Sequence, residues 1–145
     1  MATHAYVVFC NKEQSPIVTI LHHSDGYISG VGKSLARFLL ERTMINGRAG
    51  GGNDDDLSSL KANGVYCLAA QYIKEFKTEV GELYIVPCDS SGEYIDYKYY
   101  VAVENVEIGQ YISCDEITQI IIKNMHDKII FVGTPKELLN LRTEF

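Results

Sequence analysis

Short hydrophobic runs separated by polar turns fill the first part of the chain and predict a β-hairpin and two helices. AYVVFC at 5–10 and IVTILHH at 17–23 flank the polar segment NKEQSP, a spacing typical of two antiparallel strands. Hydrophobic residues then recur every three or four positions from about 30 to 42, and again from about 63 to 77. Each of these two stretches is predicted to be a helix.

Strand-like segments dominate the second half of the chain. ELYIVPCD at 82–89 and YIDYKYYVAV at 94–103 are joined by the turn SSGE and are predicted to form a second hairpin. Segment 105–112 and KIIFVG at 128–133 are predicted to be further strands. Segment 116–125 contains five β-branched residues, which leaves strand and helix open, and we favour a helix.

A helix start signal marks the last element. Thr134 offers a capping hydroxyl, Pro135 follows at the first helical position, and Glu137 completes a capping box, so a short terminal helix is predicted. No repeat or linker divides the chain, so residues 1–145 are predicted to form a single domain. We expect an α+β fold, in which a mostly antiparallel sheet of about five to six strands carries two to three helices.

Charge and cysteine usage narrow the function classes. The net charge of -6 argues against general nucleic-acid or anionic-membrane binding, which rests on an excess of Lys and Arg. The four cysteines lie in apolar settings without C-x-x-C pairing and are expected to be reduced core thiols in a cytoplasmic protein. The N-terminus lacks the features of a secretion signal, and the sequence implies no cofactor.

The stretch DGYISGVGKS resembles a phosphate-binding loop but does not match one. That loop requires Gly five residues before the Gly-Lys-Ser ending, and Tyr27 occupies the position. A helix that starts near Gly30 could still favour an anion at its N-terminus, with Lys33 and Arg37 adding positive charge. The alternative is a well-capped helix whose lysine is solvated.

Two further features suggest ligand contacts. The glycine-rich segment 46–56 contains Arg48 and the aspartates 54–56, and such segments are common as lids over ligands. Ten tyrosines, several of them in 94–100, mainly suit sheet packing. An exposed ring such as Tyr97 would also suit stacking on a base or burial in a subunit interface.

Two adjacent histidines precede the stretch DGYISGVGKS. His22, His23 and Asp25 could ligate zinc or transfer protons, but adjacent strand residues point to opposite faces and cannot easily meet one ion. We therefore expect no metal site here. No nucleophile motif occurs, which disfavours nucleophilic catalysis. A third hypothesis is an enzyme that acts on nucleotides with His22 or His23 as the acid–base residue.

The pattern H-x-D-G-Y-x-x-G-x-G at 23–32 resembles a group of small proteins frequent in bacteriophages and prophages. GELYIVP and EYIDYKYYV are also similar to the second half of that group. Ser24 stands where an aromatic residue is common in that group, and Ile28 where proline is common. The resemblance implies an accessory protein that acts by binding.

Together these observations predict a non-enzymatic, phage-type counter-defence protein that forms a homo-oligomer in the host cytoplasm and sequesters a small nucleotide-derived signal. The alternative is an inhibitor resembling anti-CRISPR proteins, which would bind a host protein through an acidic surface. The residues expected to contact the ligand are His23, Asp25, Tyr27, Gly30, Lys33, Ser34, Arg37, Arg48 and Tyr97.

Overall fold

Eight strands and three helices make up the computed structural model, which describes residues 2–11, 13–45, 61–108 and 111–142. The strands are β1 (Ala5–Cys10), β2 (Pro16–His22), β3 (Thr43–Ile45), β4 (Lys61–Asn63), β5 (Leu83–Val86), β6 (Tyr97–Ile108), β7 (Tyr111–Asn124) and β8 (Ile129–Gly133). The helices are α1 (Lys33–Leu40), α2 (Gly64–Phe76) and α3 (Pro135–Leu139), and a π-helical turn (Ile28–Gly32) leads into α1. The predicted lid at 46–56, with Arg48, lies outside the described residues.

The strands form one mixed sheet in the order β4-β3-β7-β6-β1-β2-β5, and β8 also pairs with β7. The β1–β6 and β3–β4 pairs are parallel, and the other pairs are antiparallel. The α+β prediction is therefore confirmed. Six of the described strands have four or more residues, and the other two have three.

Segment 116–125 is not a helix, because residues 116–124 belong to the 14-residue strand β7. Ile120 and Ile122 are fully buried, whereas the intervening Ile121 pairs across to Tyr100 on the opposite face. β6 and β8 hydrogen-bond to the two edges of this stretch. Its β-branched residues suit that position, and the pattern-based helix prediction was wrong.

The predicted hairpin between 82–89 and 94–103 is also wrong. β5 instead pairs with β2, while β6 runs parallel to β1 from Tyr97 to Val101. β6 is central and its Val101 and Val103 are buried, whereas β5 is short, lies at the sheet edge and exposes Ile85. The connection at 87–96 therefore passes β2 and β1 to carry the chain from β5 to β6, which do not pair with each other. The strand predicted at 105–112 divides between β6 and β7.

The three helices lie where the sequence pattern predicted helices. α2 matches the predicted bounds closely, and the helix predicted from about 30 begins with the π-helical turn. The capping box of α3 is present: the Glu137 N–H donates to Thr134 Oγ1 at 3.2 Å, and the Thr134 N–H donates to Glu137 Oε1 at 3.1 Å. Within the described ranges, no helix is long and apolar enough to span a membrane.

Aromatic rings join the helices to the sheet. The fully buried Tyr72 of α2 contacts Phe38 of α1 at a centroid distance of 5.2 Å and Phe9 of β1 at 5.5 Å. Tyr99 of β6 is also fully buried, whereas Tyr94 is exposed. Sheet and core packing thus accounts for part of the tyrosine content.

The cysteines only partly follow the prediction of core thiols. Cys10 is buried, and burial raises the pKa of its thiol to about 11. Cys67 is partly buried, but Cys88 is exposed in the connection that follows β5. The side chain of Cys114 lies outside the described part of the chain. The expectation of a core position is therefore wrong for Cys88.

Candidate ligand-binding cleft

The turn between β2 and α1 uses its own backbone groups to hold its shape. Asp25 has a positive φ of 56°, and its carbonyl accepts a hydrogen bond from the Val31 N–H at 2.9 Å. The Tyr27 carbonyl accepts from the Gly30 N–H at 3.0 Å. The N–H groups of Gly30 and Val31 therefore donate within the turn and do not offer free donors to an anion at the helix start.

Close packing explains why glycine occupies positions 26 and 30 of the D-G-Y-x-x-G pattern. A Cβ atom at Gly26 would lie 2.9 Å from the backbone nitrogen of Ala5, and one at Gly30 would lie 2.2 Å from the carbonyl oxygen of Asp25. The buried hydroxyl of Tyr99 donates to the Gly26 carbonyl at 2.7 Å. The turn is thus fixed against β1 and β6.

A cleft of about 480 Å³ opens beside this turn. Two carboxylates line it, Asp25 and Glu82, and serine hydroxyls line it at positions 24, 29 and 34. The Tyr27 hydroxyl donates to Asp25 Oδ1 at 3.1 Å, and the Ser24 hydroxyl donates to Glu82 Oε2 at 2.5 Å. Apolar contact comes from Val31, Phe76 and Leu83. No Lys or Arg is among the described residues that line the cleft.

His22 contributes a neutral imidazole to the cleft. Its Nε2 shares a hydrogen bond of 2.8 Å with the hydroxyl of Tyr72. Burial lowers the pKa of His22 to about 4, although the nearby Glu82 carboxylate opposes the shift. Burial also raises the pKa of Tyr72, so the phenol keeps its proton. Both groups are uncharged near pH 7.

The second histidine of the pair points elsewhere, as strand alternation predicts. The ring of His23 meets that of His4 edge to face, with centroids 4.8 Å apart. Among the described residues, no group of three or more His, Cys, Asp or Glu side chains could hold a metal ion.

Lys33 and Arg37, two of the predicted phosphate-binding cations, are not among the described residues that line the cleft. The Lys33 ammonium donates to the carbonyls of Leu138 at 2.8 Å and Leu139 at 2.9 Å, and also to that of Leu141. It therefore satisfies the C-terminal end of α3, and the expected contact with phosphate is replaced by an internal one. Arg37 is exposed on α1 and is not among the residues that line the cleft.

Four of the predicted site residues do meet around one cleft: Asp25, Tyr27, Gly30 and Ser34. His23 lies beside it, and Tyr97 lines a second cleft that also includes Tyr27. Sequence reasoning missed Glu82, which reaches the site because its carbonyl accepts from the His23 N–H at 2.8 Å. Glu82 could be assigned to the site only by knowing that β5, which it directly precedes, pairs with β2.

Comparison with family models, with curated proteins and with solved structures gave no match to this chain. The resemblance of segment 23–32 to small phage proteins therefore stays a prediction. What the cleft can bind has to be argued from its own chemistry.

Proposed function

We propose that the protein is a non-enzymatic binding protein that captures a small nucleotide-derived ligand by its sugar. The observation that carries this proposal is the pair of carboxylates, Asp25 and Glu82, lining one cleft together with three serine hydroxyls. Carboxylates accept hydrogen bonds from sugar hydroxyls, as they do for ribose in dinucleotide-binding folds. The apolar contact from Phe76 and Val31 suits the carbon face of the same sugar.

Charge favours the sugar over the phosphate as the part that enters. The carboxylates of Asp25 and Glu82 would repel a phosphate, and the Lys33 ammonium is committed to α3. A bound nucleotide would therefore place its sugar in the cleft and its phosphate toward solvent. Sequestration of a host immune signal, as in phage counter-defence, is the role that the resemblance of segment 23–32 suggests.

Removal of the sugar hydroxyls is expected to weaken binding strongly, whereas removal of the phosphate is not. Calorimetry should show heat with ribonucleosides, and affinity at least about tenfold lower with the matching 2′,3′-dideoxynucleosides, because hydrogen bonds to charged groups contribute roughly 1.5–3 kcal/mol. Asp25→Asn and Glu82→Gln should each weaken ribonucleoside binding by about tenfold or more. Asn tolerates the positive φ at position 25, so this change tests the charge.

Asp89→Asn removes an exposed carboxylate that does not line the cleft, and it should bind like the unchanged protein. The proposal would be wrong if ribonucleosides and dideoxynucleosides bound equally, or if no nucleoside or nucleotide gave heat.

The acidic lining also favours a second candidate, an inhibitor that receives a Lys or Arg side chain of a host protein. Native mass spectrometry of protein purified from host lysate separates the two. A stoichiometric protein partner that is retained by the unchanged chain and lost in Glu82→Gln, without a bound small molecule, would support the inhibitor. The same spectrum reports oligomer size and so tests the predicted homo-oligomer.

A further inference from the structure

A second cleft, of about 360 Å³, adjoins the first at Tyr27, which lines both. It lies at the end of the central strands, where Asp96 directly precedes β6, Tyr97 begins β6 and Asn124 ends β7. Met125 and His126 of the following hairpin also line it. The two clefts therefore share the Tyr27 side chain as part of their lining.

The side chains of the second cleft suit a flat ring. Tyr27 and Tyr97 supply aromatic contact, and Met125, whose surface is 56% exposed, supplies a polarisable thioether. Stacking of a base on aromatic side chains is favourable for every base because each has a π-face. The cleft thus offers an apolar surface of the kind that nucleobases use.

Asp96 adds a fixed acceptor to that surface. The His4 N–H donates to its Oδ2 at 2.9 Å, and the Asp96 N–H donates to the His4 carbonyl at 3.0 Å. This reciprocal pair holds the carboxyl group at the start of β6. An ionised carboxylate only accepts hydrogen bonds, so it pairs with an amino group and disfavours a carbonyl oxygen.

We propose that the second cleft binds the base of the ligand whose sugar occupies the first, and that Asp96 selects bases with an exocyclic amino group. This inference rests on the proposed function, and it adds a specificity that the sugar contacts alone do not give. The neighbouring His126 and Asn124 belong to the same lining, but the charge that discriminates between bases is that of Asp96.

Matched nucleosides test the inference by calorimetry. Cytidine carries an amino group where uridine carries a carbonyl, and N3 is an acceptor in cytidine but an N–H in uridine. Guanosine and inosine differ only by the 2-amino group, so they form the cleaner pair. We expect the amino-bearing member of each pair to bind about tenfold more tightly, the size of one well-placed base contact. Asp96→Asn should bring the cytidine-to-uridine ratio close to one, while Glu93→Gln, an exposed change in the same connection, should leave it unaltered.

Each outcome bears on the inference directly. Equal affinities within both pairs would overturn base selection and leave sugar capture standing. Heat with neither member of any pair would overturn both proposals. A ratio that persists in a folded Asp96→Asn variant, as judged by thermal unfolding, would overturn the assignment to Asp96, and the ratio in the unchanged protein remains decisive if that variant does not fold.

Discussion

Gly30→Ala is expected to destabilise the fold by about 2–3 kcal/mol, as is typical of overpacking in a tight site. The added Cβ would lie 2.2 Å from the Asp25 carbonyl oxygen, which also accepts the hydrogen bond from Val31. Relief of the overlap must open the turn that carries Asp25 and Tyr27. Urea unfolding should show the loss of stability, and calorimetry should show weaker nucleoside binding.

Arg37→Ala provides the control for Gly30→Ala, because it places alanine at an exposed position of the neighbouring helix α1. Its unfolding free energy should stay within about 0.5 kcal/mol of the original. At an unstrained position, replacement of glycine by alanine stabilises by about 0.4–1 kcal/mol. A Gly30→Ala protein that is more stable than the original would therefore contradict the packing of the turn.

A fall in pH from 7 to 4 is expected to cost roughly 2–3 kcal/mol of stability through His22 alone. Burial lowers its folded pKa from 6.5 to about 4, so the unfolded chain binds the extra proton first. The penalty is absent above the unfolded pKa, grows as the pH falls below about 6.5, and levels off below about 4. Glu82, which faces the ring, reduces the shift but does not reverse it.

Urea unfolding at pH 7 and pH 4.5 would measure this dependence. His22→Gln keeps a polar partner for Tyr72 without the titration, so its stability should fall less between the two pH values. His126→Gln, at an exposed histidine of the β7–β8 hairpin, serves as the control and should behave like the original. The same pH dependence in the original and in His22→Gln would contradict the assignment.

Asp127 titrates in a different range. The hydrogen bond from the Lys98 ammonium lowers the pKa of Asp127, so the stability that this pair contributes is lost only as the pH falls below the ordinary pKa of an aspartate.

Local features of the fold were predictable because their causes lie within a few residues. The turn before Pro16, the periodicity of α2 and the capping box at Thr134 each depend on neighbours in sequence. The place of β6 depends instead on β1, more than 90 residues earlier in the chain. β5 is the preceding strand in sequence, so it was predicted to pair with β6. β6 instead lies in the centre of the sheet, where residues on both of its faces are buried.

The same distinction applies to the candidate site. Segment 25–34 was identified because its turn residues are contiguous, and the structure brings Asp25, Tyr27, Gly30 and Ser34 to one cleft. The hydrogen bonds of Lys33 could not be predicted, since the carbonyls that accept them lie 105 to 108 residues further along the chain. Glu82 was missed for a similar reason, because strand pairing and not sequence spacing carries it to the turn.

The hydrogen bond from Tyr99 to Gly26 connects the turn that lines the cleft to the central sheet. Since Tyr99 is fully buried in a central strand, the backbone that presents Asp25 and Tyr27 is anchored to the most protected part of the molecule. A ligand that enters would find its partners already in place and would pay little of the ordering entropy that mobile binding loops incur. Recognition at this turn should therefore proceed by rigid docking, with small differences between the free and the occupied protein.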